Sequence, residues 1–526
     1  MGSARKSRRE DPFGVWLVEK PVKLRTAALG AILAASSSVL GAVVAPLPAA
    51  IVATTSDDPS WQGGGASAVD KSHFAAGQTV HVDARLGHAT MAKGANGETY
   101  LFAAVSGADA PQAAPPLNLA IVVDKSGSMK GERIARAIDA GVGIAQRMRD
   151  GDTITVVDFD TSAEVVVAPT RLTASNRASV ETAIRGIRLG GDTCISCGLE
   201  TAAAQLRSVP IAGDHVTRIM LLSDGATNHG VTDMGGLRGI AGRMRDRGCA
   251  ITTIGVDVDF DEKVMAALAT ESNGRHYFVA SASGLPAIFS QEFDSLVASV
   301  AQDTDMIVDL APGVEVDQVF DRTFRRENGP SGDRIVIPFG VLAAKQEKTA
   351  LVKLRVPTDH DGQTAVAKVA VAYRDLLARA DRREEGDLQL FVKSDGSAQA
   401  DLDPFVGARV ERSRTAQTLT KANDLFKDGK FDEAEKTLAT RASELHASAA
   451  RRPMALNKPD TERLGADFDK QIGAVSEAQA NFAPMATATA NAGPSGGGGS
   501  VAAAPPTRLE REQVRKNQQA ASDLSF

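Results

Sequence analysis

A chain of 526 residues is too long for one core and predicts two or three domains. Hydrophobic residues reach 43% but aromatics only 4%, so Ala, Val and Leu fill those cores. With 65 acidic against 59 basic side chains, three cysteines and no basic stripe interleaved with aromatics, the composition excludes a nucleic-acid binder and a disulfide scaffold.

Residues 1–54 begin with Arg5, Lys6, Arg8, Arg9, Lys20, Lys23 and Arg25, then run uncharged from 27 to 45 into a stretch of small residues. A basic flank, an apolar middle and small residues describe an export signal; the run is also barely long enough to stay as a single membrane anchor. Either way the basic flank stays inside, and the rest is delivered outside the cytoplasm, to periplasm, cell envelope or medium. Residues 55–77 read as a linker. At 78–115, TVHVDARLG and TYLFAAVSG alternate as short strands. They are expected to join a β domain that resumes further along.

Strands and helices alternate from 116 to 300. Residues 117–123 form an unbroken apolar run ending in Ile121, Val122 and Val123, which predicts a strand buried on both faces. Apolar residues at helical spacing follow over 131–149. Further strands are expected at 152–159, 163–169, 215–223, 249–256 and 276–279, and helices at 175–187, 196–208, 233–247, 261–270 and 284–299. This order predicts an α/β unit, a doubly wound and mostly parallel sheet with helices on both faces. The segment at 163–169 would be its antiparallel edge.

Asp124, Ser126 and Ser128 follow the first strand two residues apart, with Gly127 where the chain turns. Open α/β sheets bind ligands at that carboxyl end. Thr193 stands in the Gly-rich stretch LGGDTCISCGLE, and Asp224 closes the apolar run RIMLLSD. Asp-x-Ser-x-Ser, then Thr, then Asp, all at strand ends, resembles the von Willebrand factor type A domains and their metal-ion-dependent adhesion site. The resemblance implies that Ser126, Ser128 and in some members Thr193 touch the ion, while Asp124 and Asp224 act through waters or hydrogen bonds. Oxygen donors without His or Cys suit Mg²⁺, or Ca²⁺ or Mn²⁺, rather than zinc or copper. If neutral hydroxyls dominate, the cation stays under-neutralised and attracts an Asp or Glu carboxylate of a protein partner. Such binding needs no nucleophile or general base, so no enzyme activity is expected.

Cys194 and Cys197 follow Thr193 at a helix N-terminus. They read as two small helix residues, as a disulfide stiffening the Thr193 loop, or as a redox-sensitive pair. Cys249 is expected to be buried. Asp257, Asp259 and Asp261 are read as a solvated loop in which Asp259 or Asp261 caps a helix. His229 lies in the loop after Asp224.

Residues 301–395 alternate at period two and predict an antiparallel β-rich, sandwich-like domain joined by the strands at 78–115. Sheet before and sheet after is the layout of bacterial exported members of the resembled family. The layout is also similar to calcium-activated chloride-channel homologues, although no multi-pass apolar segments exist for a pore. Residues 403–483 predict helices, including one tetratricopeptide-like hairpin split at Gly429. The stretch 484–526, with PSGGGGS, is expected to be a disordered low-complexity tail whose polar end could form a short helix.

Overall fold

The computed structural model describes residues 71–109, 115–209, 215–258, 260–330, 332–394, 400–450, 458–491 and 507–525. The export segment expected at 1–54 and most of the linker at 55–77 lie outside the described residues.

The chain opens with β1 (His73–Ala76), β2 (Val80–Leu86), β3 (Thr90–Ala92) and β4 (Glu98–Gly107). The linker reading therefore needs correcting at its end. Residues 73–76 form an edge strand antiparallel to β2, with Phe74 against the β-domain core. Four residues are too few for alternation to register in the sequence.

The α/β unit follows as β5 (Leu117–Asp124), α1 (Glu132–Arg147), β6 (Thr153–Phe159), β7 (Ala163–Arg171), α2 (Arg177–Arg185) and α3 (Ile195–Leu206). It continues with β8 (Val216–Ser223), α4 (Met234–Arg245), β9 (Cys249–Val256), α5 (Glu262–Glu271), β10 (His276–Val279) and α6 (Leu285–Val297). The strand order is β10-β9-β8-β5-β6-β7, parallel except at the β6–β7 edge, so the doubly wound sheet is present as expected. Every residue of β5 is buried. Leu119, Ile121 and Val123 belong to the core on the α1 and α6 side, while Ala120 and Val122 belong to the core under α3 and α4. The second core is tight. A Cβ on Gly198 of α3 would stand 2.7 Å from Phe159 Cδ1 and 2.9 Å from Val122 Cγ1, so only glycine lets the helix come this close.

Beyond it lie β11 (Ser299–Leu310), β12 (Glu315–Phe320), β13 (Arg325–Asn328), β14 (Asp333–Ala343), β15 (Glu347–Arg355), β16 (Gly362–Asp375) and β17 (Ala380–Lys393). One sheet runs β1-β2-β4-β15-β12 and the other β13-β14-β11-β16-β17-β3. Val82, Leu101, Val105, Ile337, Val352 and Val369 share the core between them. The α/β unit is thus an insertion between β4 and β11. Both crossing points are tied to the β14–β15 turn: Lys345 N donates to Gly107 O at 2.9 Å and Ala344 N to Ala298 O at 2.8 Å.

The chain ends in α7 (Pro404–Lys427), α8 (Phe431–Ala450), α9 (Lys458–Asn491) and α10 (Arg508–Ser525). These helices share a core with Phe102, Ala104 and Leu351 on the outer face of the first sheet. The disorder expected over 484–526 is corrected where α9 runs to Asn491, while the helix that the polar end could form is present as α10, packed along α7. Val514, Ala521 and Leu524 of α10 are buried, a stripe too thin to stand out in so polar a sequence. Among the described residues no helix is long and apolar enough to cross a membrane.

Candidate metal centre

β5 and β8 are parallel neighbours, with Val123 opposite Leu222, so both strands finish at the same level. Ser223 Oγ donates to Asp124 Oδ2 at 2.5 Å across that junction. Asp124 also accepts from the backbone N–H of Ser126 at 2.8 Å, which folds the chain back at once. A short 3₁₀ turn over Gly127–Met129 follows, pinned by the fully buried Met129. Ser126 Oγ and Ser128 Oγ come to 3.0 Å of one another, and Ser128 Oγ donates to Asp224 Oδ1 at 2.6 Å.

Thr193 reaches the same place from the Gly-rich loop. Gly127 N donates to Gly191 O at 3.0 Å and Gly190 N to Lys125 O at 2.7 Å, stitching the two loops together. From below, Asp160 accepts from Gly191 N at 3.0 Å through its side chain and from Cys194 N at 2.7 Å through its carbonyl. The side chain of Asn228 accepts from Thr193 N at 2.9 Å. Thr193 is buried, and no direct bond joins its hydroxyl to the serines. Its Oγ1 and Ser128 Oγ instead flank Gly225, where a Cβ would lie 3.3 and 3.6 Å from them. The space a side chain would fill is left open between the hydroxyls.

All five sequence-predicted oxygen donors, Asp124, Ser126, Ser128, Thr193 and Asp224, are therefore gathered at one edge of the sheet. Both carboxylates are fully buried. Burial, opposed by hydrogen bonds from Ser126 and Ser223 and reinforced by the Asp224 charge, pushes Asp124 up to about 6. Among the described residues no three His, Cys, Asp or Glu side chains gather as a metal site. That is expected for a centre made of two carboxylates and three hydroxyls. The donor set fits a hard divalent cation, and a cation would offset the charge that burial disfavours.

Three charged residues here have no place in the motif. Arg133 of α1 donates to Asp224 Oδ2 at 2.6 Å and Ser128 O at 2.9 Å, and its second nitrogen pairs with Asp257. Asp257, just past β9, is buried at φ +65° and also meets Arg508 of α10 at 3.1 Å. The solvated-loop reading of Asp257 is thus corrected: two arginines hold this carboxylate in. The cap falls to Asp261, which accepts from Val264 N at 3.1 Å. Cys194 and Cys197 are joined as a disulfide across the first turn of α3, with Cα atoms 5.3 Å apart. Cys249 is a buried free thiol and His229 is exposed.

Comparison with known proteins agrees with this fold. Residues 118–291 match the model of the von Willebrand factor type A domain. An uncharacterized protein of Synechocystis sp. is 25% identical over 321 residues, 59% of this chain and 75% of that protein. Two solved structures share the fold at 16% identity. The von Willebrand factor type A protein of Catenulispora acidiphila has a TM-score of 0.61 and covers 73% of this chain and 88% of its own. The ArnB paralog VWA2 of Sulfolobus acidocaldarius has a TM-score of 0.54, with 85% and 100% covered.

Proposed function

Because residues 118–291 are a von Willebrand factor type A domain, a family of metal-dependent adhesion and interaction modules, we propose that this chain binds a protein partner through a divalent cation. Asp124, Ser126, Ser128, Thr193 and Asp224 would hold the ion, Mg²⁺ in the first instance with Ca²⁺ or Mn²⁺ as alternatives. When bound, the cation supplies a positive charge that the neutral hydroxyls leave unsatisfied. The chain's own groups do the rest. Ser126 and Ser128 are preset by the Asp124 and Asp224 hydrogen bonds, Gly225 keeps the approach clear, and Arg133 offers a second contact for a partner carboxylate. In this reading the protein is not an enzyme. It works outside the cytoplasm at the cell envelope, as the basic and apolar pattern of residues 1–54 suggests.

The convergence of oxygens from two adjacent strand ends and one Gly-rich loop carries the proposal. Calorimetric titration of Mg²⁺ into the wild type and Asp124→Ala tests it, alongside partner capture with and without EDTA. Saturable binding lost in the variant is expected, and equal affinity in both ends the metal reading.

The disulfide beside Thr193 favours one addition, a redox-regulated site. Reduction of Cys194–Cys197 would then loosen the Thr193 loop and weaken cation binding. Titration before and after mild reduction, with the thiols counted by mass spectrometry, decides that point.

A further inference from the structure

Away from the metal centre, a cavity of about 540 Å³ opens where the α/β unit, the sandwich and the terminal helices meet. Arg275, Tyr277 and Phe278 line it from the loop into β10 and from β10 itself. Phe339 of β14, Lys348 of β15 and Arg322 of the β12–β13 turn line it from the sandwich.

Positive charge is concentrated on these walls. Lys348 is surrounded by protein on all sides yet only half-buried, because the surface it shows belongs to the cavity. Its Nζ donates to Phe339 O at 2.6 Å and Val341 O at 2.8 Å, and no carboxylate pairs with it among the described residues. Once protonated beside a bound anion, the ammonium has a third donor for that ligand. Arg322 donates from Nε to Thr349 O at 2.5 Å, with its guanidinium 4.5 Å over the Phe339 ring. Arg275 reaches Tyr277 Oη at 3.4 Å.

The neighbouring acids have other partners as well, although against burial Tyr277, Glu292 and Asp523 together hold the Arg275 guanidinium above its usual range. Glu292 accepts from Thr252 at 2.6 Å and Tyr277 at 3.0 Å and stands 3.8 Å from Arg218. Glu347 is paired with Arg463 at 2.5 Å, and Asp523, at the mouth, accepts from Gln519 at 2.9 Å. Burial, then repulsion from Arg322, Arg218 and Arg275, holds the Lys348 amine well below the usual ammonium range. Protonating Lys348 among these like charges is costly unless a counter-charge joins it. The rings of Tyr277, Phe278 and Phe339 add apolar walls, and the volume suits a small molecule.

We propose that this cavity binds a small organic oxyanion, with Lys348, Arg322 and Arg275 as its contacts. The proposal does not depend on cation binding at the strand ends. Its test is calorimetric titration of the full chain, in EDTA, with inorganic pyrophosphate and separately with citrate, against sodium chloride of equal ionic strength. The melting temperature is followed in parallel. Saturable binding of at least one probe is expected with a Kd below about 1 mM, weakened about tenfold or more by Arg275→Gln and by Lys348→Met. Binding of pyrophosphate alone assigns the site to phosphates, and binding of citrate alone to carboxylates. Failure of both probes to exceed the salt control overturns the proposal, as does undiminished binding in the variants. Should Lys348→Met fail to fold, Arg275→Gln on the opposite wall carries the comparison. EDTA keeps these outcomes separate from those of the cation site.

Discussion

Arg133 already supplies one positive charge to Asp224, so a cation entering the cluster must share that carboxylate with it or displace it. Replacing Arg133 with Gln is expected to tighten Mg²⁺ binding by about tenfold, roughly 1.4 kcal/mol, in a calorimetric titration. Weaker binding in that variant would show that the guanidinium supports the site instead. Asp124 responds differently, because burial favours its neutral form. The isostere Asp124→Asn should therefore melt no lower than the wild type in EDTA, yet lack the rise in melting temperature expected when Mg²⁺ is added to the wild type. Arg133 and Asp257 show why a motif reveals only part of a site. Asp124, Ser126 and Ser128 are legible because two-residue spacing after an apolar run is local information. Arg133 is one charge on an amphipathic helix, and Asp257 is one of three acids in a loop. Only the strand order, which seats β8 between β5 and β9, brings Arg133 to Asp224 and Asp257 to Arg133.

At the scale of the element, α10 is longer and more firmly seated than the short terminal helix the sequence suggests. Three buried apolar residues along eighteen give little signal, and the anchoring is mostly polar. Arg515 pairs with Glu262, donates to Phe260 O at 2.8 Å and lies 4.7 Å over the Phe260 ring, while Gln519 takes up Phe278 N at 3.0 Å. Arg515→Ala leaves a largely buried carboxylate unpaired and is expected to cost roughly 3 kcal/mol, read as a lower urea midpoint. The same helix covers His276. Burial, with the Arg515 charge nearby, pushes its imidazole down to about 4, against an unfolded value of about 6.5. The stability that comes from keeping this ring neutral is complete above pH 6.5 and is lost as the pH falls through that window towards 4. The loss is of the order of 3 kcal/mol. Urea midpoints at pH 7 and pH 5 should therefore fall more in the wild type than in His276→Asn. By contrast, the alternation of strands and helices in the α/β unit is read easily, since each period is long and each apolar run is bounded by turn residues. β17 is harder, because its first half, ADRREEGD, is charged and only Leu388, Leu390 and Val392 keep the period.

For the whole molecule, the division into sheet, inserted unit and sheet has a thermodynamic consequence. Both cores of the α/β unit are made almost wholly of its own residues, with Val341 and Leu376 as the sandwich's additions to one of them. A fragment spanning 115–298 is therefore expected to fold alone and to keep a saturable Mg²⁺ site. It should melt at a lower temperature, because α10 no longer covers β10; circular dichroism and calorimetry check both points.

The insertion also decides how the chain carries load. Its entry strand, β4, lies in one sheet and its exit strand, β11, in the other, and the β14–β15 turn clasps both necks. A pull applied at the strand-end loops thus reaches the two sheets together. Neither β4 nor β11 is an edge strand, so neither can be unzipped from an edge, and the clasp must shear before either strand slips.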